Sequence, residues 1–156
     1  MDINIRKATV ADIDAITELN LLIANHHADI DGFYARGEDV NKTLPSFLAE
    51  DLKKETSINL LAEVDGKIVG WFSGSIKRDV PHLSEKVYGH IGSAIILPEY
   101  RGKGIAKLMF QEMVVWFREN GAKLVDLSVD TRNPEGLRAW EGLGFKEYAK
   151  KMKMEI

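Results

Sequence analysis

Cysteine is absent from the 156-residue chain. That absence excludes a disulfide framework, a thiolate zinc site and a cysteine nucleophile, so any chemistry must come from other groups. Proline is scarce too, at four residues, and no low-complexity run, linker-like stretch or internal repeat interrupts the chain. No apolar run approaches the roughly 18 residues that a membrane span needs, and "MDINIRKATV" lacks the apolar centre of a secretory signal. A soluble cytoplasmic protein is expected. An excess of one charge is also missing. The 21 basic and 24 acidic residues leave a formal charge of -3, too mild to make nucleic acid or a membrane surface the main partner. The distribution is uneven, however, with seven acidic and four basic residues from Asn25 to Glu55 and five basic and two acidic from Arg101 to Lys123.

What is present suits one domain, residues 1–156. The composition is 45% hydrophobic, and a chain of this length buries roughly two-thirds of its unfolded surface. "INIR" reads as a first strand. "TVAD" resembles a capping box, with Thr9 capping a helix whose Ile13, Ile16, Leu19 and Ile23 share a face and whose end is expected near Asn25. "NHHADIDGFYARGEDVNK" has little period, and a second helix is expected over "TLPSFLAEDLKK" with its proline early.

"SINLLAEVDGKIVGWFSGSI" holds two apolar runs joined by Asp65-Gly66, the dipeptide that suits a type I′ hairpin turn. "KVYGHIGSAIIL" is a further strand, stopped by Pro98. Beyond it, Lys103, Lys107, Gln111 and Arg118 form one polar stripe on an otherwise apolar helix, which is therefore expected to be buried over most of its surface. "KLVDLSVD" alternates as a strand, with Asp126, Ser128 and Asp130 on one face. A short helix from about Pro134 to Gly142 and a last extended segment, "FKEYAKKMKMEI", complete the order. Such mixing argues for an α/β or α+β layered fold on a mixed sheet, with a parallel crossover around the large helix.

The stretch "LPEYRGKGIAKLMF" places glycines and positive charge where that helix begins. A helix start offers unpaired amides and a partial positive charge, and glycines let an anion approach the backbone. Arg101, Gly102, Lys103 and Gly104 therefore make a cradle for phosphate or pyrophosphate. A Walker loop would need Ser or Thr after Gly102-Lys103, where Gly104 stands. A dinucleotide fingerprint would need a small third residue where Lys107 stands, and Asp126 as its ribose partner would fall mid-strand.

Arg101-x-x-Gly104-x-Ala106 resembles the Q/R-x-x-G-x-G/A acetyl-coenzyme A motif of the GNAT superfamily of N-acetyltransferases. "NPEGLRAWEGLGF", Asn133 to Phe145, is similar to that family's second motif, and the resemblance runs from "IRKAT" to the end of the chain. It implies a central sheet, mostly antiparallel, flanked by helices, in which the parallel fourth and fifth strands, "HIGSAIIL" and "LVDLSVD", splay apart. It also implies transfer of acetyl from acetyl-CoA directly to a primary amine of a small molecule or a protein.

By the same resemblance, backbone amides of Arg101, Gly102, Lys103, Gly104, Ile105 and Ala106 hold the pyrophosphate. Ile96 and Leu97 pair their backbone with the pantetheine arm, and Asn133 and Trp140 lie near the coenzyme. The side chains of Ile105, Leu108 and Met109 read as core. Family members often place a glutamate where His90 stands, six residues before Ile96, and histidines, titrating near 6.5 as a class, suit a general base at neutral pH. The sequence departs from the family at Trp140, where a tyrosine often protonates the departing thiolate; Tyr148 or water is the available substitute. Acceptor recognition is expected from His26, His27, Phe33 and Tyr34 and from "KRDVPHLSEK". No metal is expected, since adjacent histidines make a poor ligand pair without others. A homodimer through the terminal strands is compatible with the family. The alternatives to an enzyme of this kind are a catalytically silent acyl-CoA sensor and a dinucleotide-dependent reductase.

Overall fold

The computed structural model describes residues 1–31, 37–79 and 86–156, without the side chains of 37 and 38. The elements are β1 (Ile3–Lys7), a 3-10 turn at Val10–Asp12, α1 (Ile13–Ile30), α2 (Gly37–Asp51), β2 (Ser57–Val64), β3 (Lys67–Asp79) and β4 (Lys86–Ile96). After a 3-10 turn at Pro98–Tyr100 come α3 (Ile105–Glu119), β5 (Val125–Leu127) and α4 (Pro134–Gly142). The sheet has the order β1-β2-β3-β4-β5, antiparallel through β4 and parallel between β4 and β5. This is the expected mixed sheet with a parallel final pair.

The β2–β3 hairpin turns at Asp65 and Gly66, with φ of 49° and 81°, as a type I′ turn requires at both central positions. Helices cover both faces, which is why β2 is buried almost continuously rather than in alternation. On one face Ile16 and Leu19 of α1 and Leu44 and Leu48 of α2 meet Leu61, Trp71 and Ile95. On the other, Ile105, Met109, Met113 and Phe117 of α3 meet Ile58, Leu60, Phe72, Ile91 and Ile96. Each fully buried side chain of this size contributes about 1.5–3 kcal/mol.

Among the described residues, the buried Asn59 and Asp12 are paired, whereas the buried Oδ1 of Asn41 has no hydrogen-bond partner. Trp71 Nε1 donates to Asn59 Oδ1 at 3.0 Å, and Asn59 Nδ2 donates to Asp51 Oδ2 at 3.0 Å, fastening the end of α2 to the sheet. Arg6 grips Asp12 with two nitrogens at 2.8 and 2.9 Å while its Nε donates to Glu63 at 2.8 Å. Asp12 also accepts from the amide and hydroxyl of Thr9. The guanidinium holds the Asp12 carboxyl well below the usual carboxylate range.

Several elements differ from the sequence-based expectation. α1 runs to Ile30 rather than stopping near Asn25 because Ala24 and Ala28 continue its buried stripe; small residues carry helix periodicity weakly. α2 begins at Gly37 and takes Pro45 into its interior. α3 buries one line of residues, and Leu108 and Val115 are 41% and 51% exposed, so the helix lies on the sheet with one face only. β5 pairs over three residues, and residues 146–156 form no regular strand. That lysine-rich segment is exposed throughout, its Tyr148, Met152, Met154 and Ile156 included.

Candidate active site

β4 is eleven residues long, and its two edges end differently. Against β3 it pairs as far as Ile96, opposite Gly70. Against β5 it pairs only at Gly89, His90 and Ile91. The last five residues of β4 therefore keep an open edge, and a gap begins one rung after His90. Leu97 donates its amide to Val69 O at 2.9 Å, so by strand alternation the backbone of Ile96 faces the open side. The carbonyl of Ile96 accepts from Arg101 Nε at 3.1 Å.

The loop beyond this edge has the expected glycine geometry. Gly102 and Gly104 have φ of 72° and 80°, and a Cβ on either would meet nothing within 4 Å. Gly104 is the N-cap of α3, and no side chain caps the helix. The amides of Ile105, Ala106 and Lys107 thus have no intrahelical acceptor. Arg101 is held on its other side by Glu135 at 2.9 Å, and Lys103 Nζ lies 5.1 Å from the Tyr100 ring centroid. The side chain of Ile105 is core, as is Met109. The result is a shallow cradle of amide donors beside a strand edge, and this donor set fits the pyrophosphate and amide arm of a coenzyme A.

Asn133 caps α4, accepting from the Gly136 amide at 3.0 Å. Trp140 stacks in an aromatic group, with ring centroids 6.1 Å from Phe72 and 5.4 Å from Phe145, and Phe145 lies 5.3 Å from Phe110. This group sits on the α3 face of the gap.

His90 faces the other way. Its neighbours Gly89 and Ile91 point at α3, so His90 turns toward the α1 face. Its Nδ1 lies 2.7 Å from Asp126 Oδ1, and Tyr148 donates its hydroxyl to Asp126 Oδ2 at 3.3 Å. The Asp126 charge, more than burial, raises the Tyr148 phenol above its ordinary value. The sequence placed Asp126 on a polar strand face but gave no sign of its partner, which depends on the register of two strands far apart in the chain.

His26 is exposed on α1, and its ring centroid is 6.1 Å from that of half-buried His27. Burial, reinforced by His26 and opposed by Asp130, pulls His27 below its usual value. Arg132 bonds Asp130 and also Asp31, at 3.0 Å, and Lys153 bonds Asp31 as well. The end of α1, the turn after β5 and the C-terminal segment are thus linked. Phe33, Tyr34 and most of "KRDVPHLSEK" lie outside the described residues. Among the described residues no three His, Asp or Glu side chains converge as metal ligands, and no helix is long and apolar enough to cross a membrane.

The family profile described as acetyltransferase (GNAT) matches residues 22–145. An N-alpha-acetyltransferase of Sulfurisphaera tokodaii is 29% identical over 150 residues, covering 92% of this chain and 80% of that protein. An N-alpha-acetyltransferase of Saccharolobus solfataricus is 28% identical over 158 residues, covering 94% and 81%. Among solved structures, a mutant of the BH1408 protein from Bacillus halodurans aligns with a TM-score of 0.88 at 21% identity over 98% of this chain and 99% of that one. The aminoglycoside N-acetyltransferase AAC(6')-Iy, in complex with a CoA-containing bisubstrate analogue, aligns with a TM-score of 0.79 at 18% identity over 100% and 99%. At these identities the two structures establish a common fold.

Proposed function

The chain belongs to the GNAT acetyltransferase family and is an acetyl-CoA-dependent N-acetyltransferase, and from that premise we propose direct acetyl transfer to a primary amine with His90 as general base. The observation that carries this reading is the place of His90, on the last rungs where β4 and β5 still pair, beside the open edge that leads to the glycine-lined start of α3.

The amides of Gly102, Lys103, Gly104, Ile105 and Ala106 bind the pyrophosphate, and the open backbone at Ile96 aligns the pantetheine arm. The Arg101 amide donates to Pro98 O at 3.2 Å and the Leu97 amide to Val69 O at 2.9 Å, so neither expected contact is open to the coenzyme. Asn133 and Trp140 flank that arm from α4. The acyl group then passes through the gap from the α3 face to the α1 face, where His90 stands. His90 takes one proton from the substrate ammonium. The freed lone pair of the amine forms the C–N bond to the thioester carbonyl carbon. The C–S bond breaks with its electron pair on sulfur, and the second amine proton passes to that sulfur, directly or through water. His90 returns its proton to solvent, leaving an amide and a free thiol. At one general acid or base, such proton transfer contributes about 10²- to 10⁴-fold.

An α-amino group is the favoured acceptor. The named relatives are N-alpha-acetyltransferases, and an α-amine, with a pKa of about 7.7–8.0 against about 10.4 for lysine, yields its proton to a histidine more readily. His26 and His27, on the same side as His90, and Phe33 and Tyr34 are the candidate acceptor contacts. The test is a pair of peptides that each carry one internal lysine, one with a free α-amine and one with it blocked. Acetylation confined to the free α-amine supports the proposal; equal modification of the lysine in both peptides contradicts the choice of acceptor.

A further inference from the structure

We infer that Asp126 is a positioning residue for His90: it holds the imidazole with Nδ1 protonated, so that Nε2 is the atom that accepts the substrate proton, and Tyr148 braces the same carboxylate from its other oxygen. The inference rests on the assignment of His90 as base. Four observations carry it. His90 and Asp126 are register partners on adjacent parallel strands, so their backbones fix the approach of the side chains. The adjoining rung is closed by the Gly89 amide on Leu124 O at 2.9 Å. Side chains carried on paired strands are held more closely than side chains on loops.

The Nδ1···Oδ1 distance is 2.7 Å, in the range of a charge-assisted bond. An ionised carboxylate can only accept, so the hydrogen of this bond sits on Nδ1, and the neutral ring presents its lone pair at Nε2. Each oxygen of Asp126 has its own donor, His90 at Oδ1 and Tyr148 at Oδ2. Asp126 is thereby occupied as a second-line partner of His90 and is not presented to a coenzyme ribose. Tyr88 and its partner Asp79, bonded to each other at 2.8 Å, also lie on this side.

The experiment compares the parent with Asp126→Asn, Asp126→Glu, Tyr148→Phe and His90→Ala by nitrogen NMR of histidine-labelled protein and by steady-state kinetics. His90→Ala identifies the His90 signals. In the parent, the neutral His90 ring is expected to carry its hydrogen on Nδ1. An asparagine amide can turn and donate to Nδ1, so Asp126→Asn populates the Nε2–H form and lowers kcat by about 10²-fold, the lower end of what one general base contributes, with the KM for acetyl-CoA unchanged. Asp126→Glu restores part of kcat, and Tyr148→Phe lowers it by about two- to threefold, in keeping with a longer, exposed bond. A parent ring protonated on Nε2, or an Asp126→Asn protein with unchanged tautomer and turnover, overturns the inference while leaving the base assignment in place. A fully active His90→Ala protein removes the base assignment and the inference with it.

Discussion

The ring of Phe117 occupies the space where a Cβ on Gly89 would stand, with ring carbons 2.6 Å from that position. Phe117 is 1% exposed in the last turn of α3, and its ring also lies 2.8 Å from where a Cβ on Gly74 would stand. Two glycines on neighbouring strands therefore let α3 sit close to the sheet, one residue before His90. Gly89→Ala should cost about 1–3 kcal/mol through overpacking. Gly142→Ala, where an added Cβ meets nothing within 4 Å, should be neutral or stabilising by up to about 1 kcal/mol. Denaturant unfolding of the two variants checks the contrast.

Much of this arrangement could be read from the residues, and the limits are physical. Asp65-Gly66 specified its turn because few residue pairs accept two positive φ angles. Gly102 and Gly104 marked the start of α3 for a similar reason. The extension of α1 through His26 and His27 was hidden because its buried positions there are Ala24 and Ala28, which register weakly as apolar. α3 looked buried over most of its surface because Leu108 and Val115 are apolar yet exposed. The His90–Asp126 pair was beyond sequence reasoning altogether. It exists only through a parallel register that the α3 crossover creates, and no local pattern encodes which rungs will meet.

The Arg6–Asp12 pair makes stability depend on acid. The folded-state Asp12 carboxyl is depressed, foremost by its bonds to Arg6, so its contribution is complete above the unfolded value of about 4 and is lost as pH falls below it. Asp12→Asn should cost about 2–3 kcal/mol at pH near 7, since it leaves a half-buried guanidinium short of its partner. Thermal melts between pH of about 2 and 7 should show the difference between parent and variant shrinking toward the acid end. A constant difference across that window would contradict this role.

Gly104 should separate coenzyme binding from folding. Its φ of 80° makes Gly104→Ala strained by about 1–2 kcal/mol, and the added methyl projects into the open cradle. The KM for acetyl-CoA should rise about tenfold, as a change of about 1.4 kcal/mol would produce, with kcat at saturation little altered. Isothermal titration with coenzyme A alone should report the same loss. A variant with normal coenzyme affinity would place the pyrophosphate elsewhere.

Trp140 should matter for packing more than for proton transfer. Its indole touches Phe72 and Phe145, and Trp140→Ala should cost about 2–4 kcal/mol, discounted from the value for a fully buried aromatic. Trp140→Phe should recover most of that stability and retain acetyl transfer within about threefold, because an indole supplies no useful acid. Urea denaturation paired with turnover rates tests both parts. A collapse of turnover in a stable Trp140→Phe protein would assign the indole a direct part in the reaction.

The most direct measurement is thiol release from acetyl-CoA by the purified protein, with and without a peptide bearing a free α-amine, followed by mass analysis of the peptide. Release that depends on the peptide, matched one for one by a single added acetyl group, and lost in His90→Ala while coenzyme A still binds, is the expected result. Coenzyme binding without amine-dependent release, or undiminished release from His90→Ala, would contradict direct transfer with His90 as base.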